Sequence, residues 1–200
     1  SQMQHFSQSA PFCFNDIDML TVGMYNKGNV AIGKTCTDSE YRMQFSLWCL
    51  AGSPLFIGAD IRILNPAMKE LLLNKRLIAI NQDPECRPPY LVSQRSVKIP
   101  EEDRENAVEP LRCIKDQLYI FIKILSHNEF VLAYYNLFEQ EQEMLFTFAD
   151  AGIPYSSGYG FAMEDVFTGE SIGVVRDYQR VQVPGHDCRL YKCRLVNCHG

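Results

Sequence analysis

The sequence has no excess of positive charge and no long apolar run. Lys and Arg number 19 against 24 Asp and Glu, which gives a net charge of −5 and a pI near 5.4. Nucleic-acid-binding surfaces need clustered Lys and Arg, and a membrane-spanning helix needs roughly 18 consecutive apolar residues. We therefore expect no nucleic-acid partner and no membrane partner, and a neutral ligand fits this charge balance better.

The sequence also lacks the paired cysteines of a metal site. Its eight cysteines stand singly, at Cys13, Cys36, Cys49, Cys86, Cys113, Cys188, Cys193 and Cys198. Without C-x-x-C or C-x-x-H spacing no zinc site is predicted, and we expect neither a metal nor another cofactor. Apolar neighbours, such as Trp48 beside Cys49, favour buried thiols over a disulfide set. Free thiols, and the absence of a signal-peptide pattern in residues 1–6, favour a reducing compartment such as the cytoplasm and leave the localisation open.

The composition is that of a globular protein with a substantial core. The chain has 200 residues, of which 46% are hydrophobic and 22% are charged. This length fits one large or two small domains. The local patterns favour two domains of different class, with α/β structure first and all-β structure second.

A helix is predicted to begin after Thr37. Thr37 and Glu40 have the spacing of a capping box, in which each side chain accepts a hydrogen bond from the backbone N–H of the other residue. Helical spacing then predicts one buried face formed by Tyr41, Phe45, Trp48 and Gly52. Residues 52–54, Gly-Ser-Pro, end the helix.

A buried strand and a further helical segment are predicted next. Residues 55–58, Leu-Phe-Ile-Gly, form a short apolar run typical of a strand that is covered on both faces. Asn65 and Pro66 mark a helix start, as N-cap and first helical residue. Asp83-Pro84 ends the helical segment.

The order of acidic loop, helix, strand, loop and helix is that of a parallel α/β unit. Ligand groups in such units lie at the carboxyl ends of the strands, so Asp16 and Asp18 are expected at one strand end and Asp60 at the next. One of the first two carboxylates could bind sugar hydroxyls while the other supports the loop. Alternatively, Asn15 and Asp16 cap a turn, which is favoured for an isolated cluster. Asp60 and Arg62 favour an ion pair at a helix start.

The second part of the chain has the pattern of an antiparallel β domain. A hairpin is predicted with strands at residues 118–125 and 130–135, apolar on both faces and so sandwiched between layers. Further short strands are predicted at residues 144–148, 161–167, 172–175 and 189–196. With a Pro-rich linker after Cys86, the predicted domains are residues 1–86 and 87–200.

Residues 15–23, Asn-Asp-Ile-Asp-Met-Leu-Thr-Val-Gly, resemble the N-D-P-D-M-L-x-x-G segment of glycoside hydrolase family 27, the α-galactosidase and α-N-acetylgalactosaminidase family. Further blocks similar to that family follow in order at residues 45–50, 53–62, 74–84, 165–170 and 183–188. The resemblance implies that the first domain is the final two β/α units of a (β/α)8 barrel. It also implies that the second domain is the antiparallel β-sandwich that follows this barrel.

The resemblance also implies a sugar-binding role for the acidic segment. Asp18 matches the carboxylate that lines the galactose pocket, Met19 the apolar wall beside it, and Asp16 a support for the loop. The chain departs from the family at Phe14 and Ile17, where the family has Trp and Pro. The family's nucleophile and acid/base belong to earlier strands, and no residue of this chain matches either of them.

A retaining glycosidase needs two carboxyl groups about 5–5.5 Å apart on opposite sides of the scissile bond. Asp16 and Asp18, on one strand end, do not meet that need, so we expect no catalytic residue in this chain and no activity of the chain alone. Its expected partners are an α-galactoside and either the missing N-terminal barrel segment or a second copy, since barrel strands without neighbours self-associate. The alternatives are a non-catalytic carbohydrate-binding or interaction module derived from such an enzyme, and an inactive remnant.

Overall fold

The computed structural model describes residues 9–26, 36–96 and 117–198. Its α-helices are α1 (Asp38–Ala51), α2 (Pro66–Leu72) and α3 (Lys75–Asn81). Its strands are β1 (Tyr90–Ser96), β2 (Gln117–Ile124), β3 (Glu129–Asn136), β4 (Gln142–Thr147), β5 (Tyr159–Asp165), β6 (Ser171–Val175), β7 (Tyr178–Val183) and β8 (Asp187–Asn197). Helices thus precede strands along the chain, as predicted.

Helix α1 begins and ends on its own local signals. The predicted capping box is present: Thr37 N–H donates to Glu40 Oε2 at 2.7 Å, and Glu40 N–H donates to Thr37 Oγ1 at 3.3 Å. At the other end, Gly52 closes the helix with a left-handed φ of 70°, which a residue without Cβ adopts at low cost. Gly52 is therefore the C-cap and not part of the buried face, which Tyr41 and Phe45 do form.

Helices α2 and α3 each begin at an asparagine. Asn65 Oδ1 accepts a hydrogen bond from Met68 N–H at 2.8 Å, and Pro66 is the first helical residue, as predicted. Asn74 caps α3 in the same manner, with bonds from Arg76 and Leu77. None of the helices in the described ranges combines the length and the hydropathy of a transmembrane span.

The apolar run at residues 55–58 does not form a strand that is covered on both faces, so that prediction is wrong. Leu20 and Ile57 form a single parallel bridge, in which Leu20 N–H donates to Phe56 O at 2.7 Å and Gly58 N–H donates to Leu20 O at 2.9 Å. Phe56 is 61% exposed and Ile57 is 45% exposed. The reason is that only the Leu20 segment, in the part of the chain that the structure describes, pairs with this run.

The strands form two antiparallel sheets. Six strands are ordered β1-β2-β3-β8-β5-β6, and β4 pairs with β7 to form a second sheet. The predicted hairpin is present as β2 and β3, joined by a short turn at Ser126–Asn128. The sequence reading missed β1, which is largely polar and lies at a sheet edge, and β7.

The six-stranded sheet lies between two cores because its side chains alternate in direction. On one face, side chains of β2 and β3 such as Phe121 and Val131 pack against the helices. On the other face, neighbouring side chains such as Ile120 and Leu132 pack against the β4–β7 sheet. The prediction that this hairpin is apolar on both faces because it is sandwiched is confirmed. The molecule therefore has three layers: helices, a large sheet and a small sheet.

Candidate functional site

The acidic segment forms a tight, exposed loop. Asp16 Oδ1 accepts a hydrogen bond from Asp18 N–H at 2.8 Å, and Asp18 Oδ1 accepts one from Met19 N–H at 2.7 Å. Asp18 has a φ of 74°, in the left-handed region. Asp16 and Asp18 are both exposed, and Met19 is 57% exposed. Asp16 thus braces the backbone, while Asp18 and Met19 are accessible to a ligand.

Residues at and just after the C-terminal end of α1 form hydrogen bonds with the backbone of this loop. Trp48 Nε1 donates a hydrogen bond to Asp18 O at 2.8 Å. Just beyond the helix, Ser53 Oγ accepts a hydrogen bond from Ile17 N–H at 3.0 Å. These pairs are separated by 30 and 36 positions in the chain, so no local sequence pattern reveals them. Trp48 and Ser53 are the residues of the site that sequence reasoning missed.

The loop approaches the next barrel segment at a glycine. A Cβ at Gly58 would lie 3.3 Å from Leu20 O and 3.4 Å from Met19 Cβ. The first distance is shorter than ordinary van der Waals contact and the second is at its lower limit, so the absence of a side chain at Gly58 allows the two segments to bond directly. Met19 is thereby held next to residues 57–58.

The position of the loop relative to the parallel bridge differs from the prediction. Asp16 and Asp18 were expected at the carboxyl end of a strand, but they precede the bridged residue Leu20. The residues before them do not lead in as a strand, because Ala10 and Cys13 bond each other across a tight turn. Hydrogen bonds from the Asp16 side chain and from α1, and not an extended strand, therefore determine the shape of the loop.

Asp60 is engaged with a neighbouring cation. Its carboxylate caps the short 3-10 helix Ile61–Ile63 and accepts two hydrogen bonds from Arg62, from Nε at 2.8 Å and from Nη2 at 2.7 Å. The predicted ion pair at a helix start is confirmed. This carboxylate is thus committed to a structural contact beside the loop.

A partly buried ion pair joins α1 to the large sheet. Arg42 Nε donates to Asp187 Oδ1 at 2.9 Å, its Nη2 bonds Asp187 Oδ2, and Arg189 Nη1 donates to Asp187 Oδ2 at 3.2 Å. Asp187 is 1% exposed. Nearby, Ser46 Oγ lies 3.0 Å from the buried Tyr135 hydroxyl. These polar contacts fix the helical layer on the sheet.

Lys123 is a second buried charge at this junction. It is 1% exposed, and a Cβ at Gly52 would lie 3.6 Å from its Nζ. The ammonium therefore lies near the C-terminal end of α1, which has no basic residue in its last turn and carries partial negative charge. Burial lowers the pKa of Lys123 to about 8, against an opposing contribution from Asp83.

The cysteines are free thiols at every described position. Cys49 is buried, as predicted from its apolar neighbour Trp48, and Cys188 and Cys193 are buried too, whereas Cys13 and Cys36 are exposed. Burial raises the pKa of each of the three buried thiols, that of Cys188 to about 12. They are protonated at neutral pH and act as small apolar groups in the cores. Cys113 lies outside the described residues.

One cavity lies away from the acidic loop. It has a volume of about 510 Å³ and lies between α3 and the large sheet. Two ion pairs line it, Arg76 with Glu164 at 3.1 Å and Lys192 with Glu129 at 3.4 Å. Neither Asp18 nor Met19 contributes to its lining, which also includes Lys75 and Asp83.

Comparison with known proteins identifies two family models in succession. Residues 1–83 match the model described as alpha galactosidase A, and residues 115–193 match the alpha galactosidase C-terminal beta sandwich domain. An α-galactosidase of Cyamopsis tetragonoloba is 27% identical over 183 residues, which cover 92% of this chain and 37% of the relative. An α-galactosidase of Zygotorulaspora mrakii is 41% identical over 87 residues, which cover 44% of this chain and 17% of the relative. The chain spans less than half the length of either relative.

The same architecture occurs in solved structures. The crystal structure of α-galactosidase I from Mortierella vinacea superposes with a TM-score of 0.75 at 23% identity, over 96% of this chain and 42% of that one. This likeness establishes the fold, a partial barrel followed by an antiparallel sandwich. The two consecutive family matches, over residues 1–83 and 115–193, show that the chain belongs to glycoside hydrolase family 27, the α-galactosidase family.

Proposed function

We propose that this chain is part of a retaining α-galactosidase-like glycoside hydrolase that cleaves terminal α-linked galactose. In this proposal the chain supplies one wall of the sugar pocket through Asp18, Met19 and Asp16. The observation that supports it is the exposed, braced loop at these residues, which lies within the region matched by the family model.

The proposed roles follow from the chemistry of each side chain. A carboxylate accepts hydrogen bonds from adjacent sugar hydroxyls, and such charge-assisted bonds are stronger than neutral ones. Asp18 presents this group on the surface, and the exposed thioether of Met19 offers an apolar contact to the C–H face of a sugar. Asp16 acts through the Asp18 amide and need not touch the ligand.

We further propose that the chain alone does not hydrolyse galactosides. A retaining mechanism needs a second carboxyl group about 5–5.5 Å away, across the sugar. Asp16 lies in the same loop as Asp18 and accepts a hydrogen bond from its backbone N–H, and Asp60 is paired with Arg62. The nucleophile and the acid/base would therefore come from the barrel segment that the longer relatives also contain.

The exposed apolar residues around the parallel bridge support a partner at this surface. Phe14, Met19, Phe56 and Ile57 are between 45% and 61% exposed. In a closed barrel such residues contact neighbouring strands. We propose that an N-terminal barrel segment, or else a second copy of this chain, covers them. The proposed boundary between the barrel portion, 1–86, and the sandwich, 87–200, lies between α3 and β1.

A second candidate function is a non-catalytic carbohydrate-binding or interaction module derived from such an enzyme. The observation that favours it is the local change before the loop, where residues 10–13 form a tight turn. Such a module would bind galactose without turning it over, even when a barrel segment of a relative is supplied in trans.

Two measurements on the 200-residue chain test the proposal. Galactose binding is followed by saturation transfer from protein to sugar protons, with Asp18→Asn as the test variant and Glu141→Gln, at an exposed position before β4, as the matched charge control. Loss of a charged hydrogen bond costs about 1.5–3 kcal/mol, so Asp18→Asn should weaken binding about tenfold or more while the control leaves it unchanged. Aryl α-galactoside hydrolysis by the chain alone should be undetectable, and measurable turnover would contradict the assignment of the catalytic pair to another segment.

A further inference from the structure

The backbone of Asp18 is held in a conformation that needs support. Its φ of 74° lies in the left-handed region, which costs an L-residue free energy even though Asp tolerates it better than most. Such a conformation persists where surrounding contacts enforce it. The contacts that do so identify the residues on which the orientation of the Asp18 carboxylate depends.

The peptide groups on both sides of Asp18 are hydrogen-bonded to other side chains. Asp16 Oδ1 accepts from the Asp18 N–H, and Trp48 Nε1 donates to the Asp18 carbonyl oxygen, both at 2.8 Å. One position earlier, the Ile17 N–H donates to Ser53 Oγ at 3.0 Å. Of the three side chains that bond this loop, only that of Trp48 belongs to a regular helix.

Trp48 is itself anchored at the junction of two helices. Its carbonyl oxygen accepts hydrogen bonds from Ser53 N–H at 3.1 Å and from Asn81 Nδ2 at 3.4 Å. Asn81, at the end of α3, also donates to Ser53 O at 2.8 Å. The end of α1, the end of α3 and the acidic loop are therefore connected by consecutive hydrogen bonds.

We propose that Trp48 is a positioning residue for sugar recognition. Its indole N–H holds the Asp18 peptide in the left-handed conformation, which keeps the Asp18 carboxylate and the following Met19 side chain exposed toward the ligand. Trp48 acts through the Asp18 carbonyl and does not touch the sugar. The identity of the ligand, galactose, rests on the proposed function. The role of Trp48 in the loop conformation does not depend on it.

The composition of the chain makes the hydrogen bond testable without changing the shape of the side chain. Trp48 is the only tryptophan. Expression of the chain in a medium that supplies a tryptophan analogue therefore replaces this residue alone. β-(3-Benzothienyl)alanine has the shape of tryptophan with sulfur in place of the N–H, whereas 5-fluorotryptophan keeps the N–H and serves as the matched control. The conventional variant Trp48→Phe provides a second way to remove the donor.

The test measures galactose affinity by saturation transfer and amide exchange at Asp18 and Met19 without sugar. A neutral hydrogen bond contributes about 1 kcal/mol, or about fivefold in an equilibrium constant. The benzothienyl protein should bind galactose about fivefold more weakly and exchange these amides faster, and the fluorinated protein should match the native chain in both respects. Far-ultraviolet circular dichroism checks that α1 and the sheets are intact in each protein.

The outcomes separate this inference from the proposed function. If the benzothienyl protein has the same galactose affinity and the same amide exchange rates as the native chain, Trp48 is not a positioning residue. This holds whether or not Asp18→Asn abolishes binding. If the native chain binds no galactose, the proposed ligand is wrong. Amide exchange then decides the inference by itself: faster exchange in the benzothienyl protein supports the role of Trp48 in holding the loop, and unchanged exchange overturns it.

Discussion

Two apolar runs of this chain have opposite environments. In the β2–β3 hairpin, side chains such as Leu132 are fully buried because sheet neighbours and two flanking layers cover both faces. In residues 55–58, Phe56 and Ile57 are 61% and 45% exposed beside a single parallel bridge. The comparison shows that an apolar segment is buried only where neighbouring strands and layers cover it. The large sheet is covered on both faces, by the helices and by the small sheet, whereas residues 55–58 present an open surface.

The largest expected effect separates these regions with one type of substitution. Phe146→Ala, in the core between the sheets, removes a side chain that is 0% exposed, and should lower the free energy of unfolding by about 3–5 kcal/mol. Phe56→Ala, at the open surface, should change it by less than about 0.5 kcal/mol. Urea unfolding followed by circular dichroism measures both. Equal decreases in unfolding free energy for the two variants would mean that residues 55–58 are covered in solution. Analytical ultracentrifugation would then show whether a second copy of the chain covers them.

Lys123 predicts a pH dependence of stability at the junction of the two regions. Because burial lowers its pKa to about 8 from 10.5, the unfolded chain binds more protons between these values, and the contribution of Lys123 to stability rises as pH increases from about 8 to 10.5. The full difference is about 3 kcal/mol. Buried groups with raised pKa values, such as Tyr135 and Cys49, act in the opposite direction over this range.

The measurement is therefore the difference in the free energy of unfolding between the native chain and the Lys123→Met variant, as a function of pH. The free energy of unfolding of the native chain minus that of the variant should increase between pH 8 and pH 10.5. A control at an exposed position, Lys69→Met, should show a flat difference. A flat difference for Lys123→Met as well would mean that its ammonium is hydrated, which would conflict with the packing of β2 on α1.

The ion pair between Arg42 and Asp187 should contribute less, because Arg42 is partly solvated. Its side chain is 35% exposed, against 2% for Asp187. Asp187→Asn removes the charge but keeps an acceptor, so we expect a loss of about 2 kcal/mol in unfolding free energy, below the range for a fully buried pair. Glu143→Gln, which breaks the exposed pair with Arg180, is the control and should cost less than about 1 kcal/mol. Similar losses for both would show that the helical layer does not depend on the partly buried pair.

What the sequence could predict depends on how far apart the interacting residues are. The capping box at Thr37 and the start of α2 at Asn65 involve residues within a few positions, and both were predicted correctly. The contacts of Trp48 with Asp18 and of Arg42 with Asp187 join residues 30 and 145 positions apart, and no local pattern encodes them. Strand β7 was missed although it alternates in burial along its length, because its first buried position is the polar Gln179 and only Val181 and Val183 carry the apolar signal.

The smallest predicted effect concerns the contact between the two barrel segments at Gly58. The Gly58 N–H bonds Leu20 O at 2.9 Å, and an added Cβ would lie 3.3 Å from that same oxygen. Since the oxygen cannot recede without lengthening this hydrogen bond, Gly58→Ala should cost about 1 kcal/mol or less in unfolding free energy. The exposed Met19 side chain can move aside, so galactose affinity should fall only about twofold to threefold, within the same small free-energy change. The unfolding experiment detects the first effect and saturation transfer the second. A stability loss as large as that of Phe146→Ala would show that the parallel bridge belongs to the cooperative core, and would remove the contrast between the covered sheet and the open surface at residues 55–58.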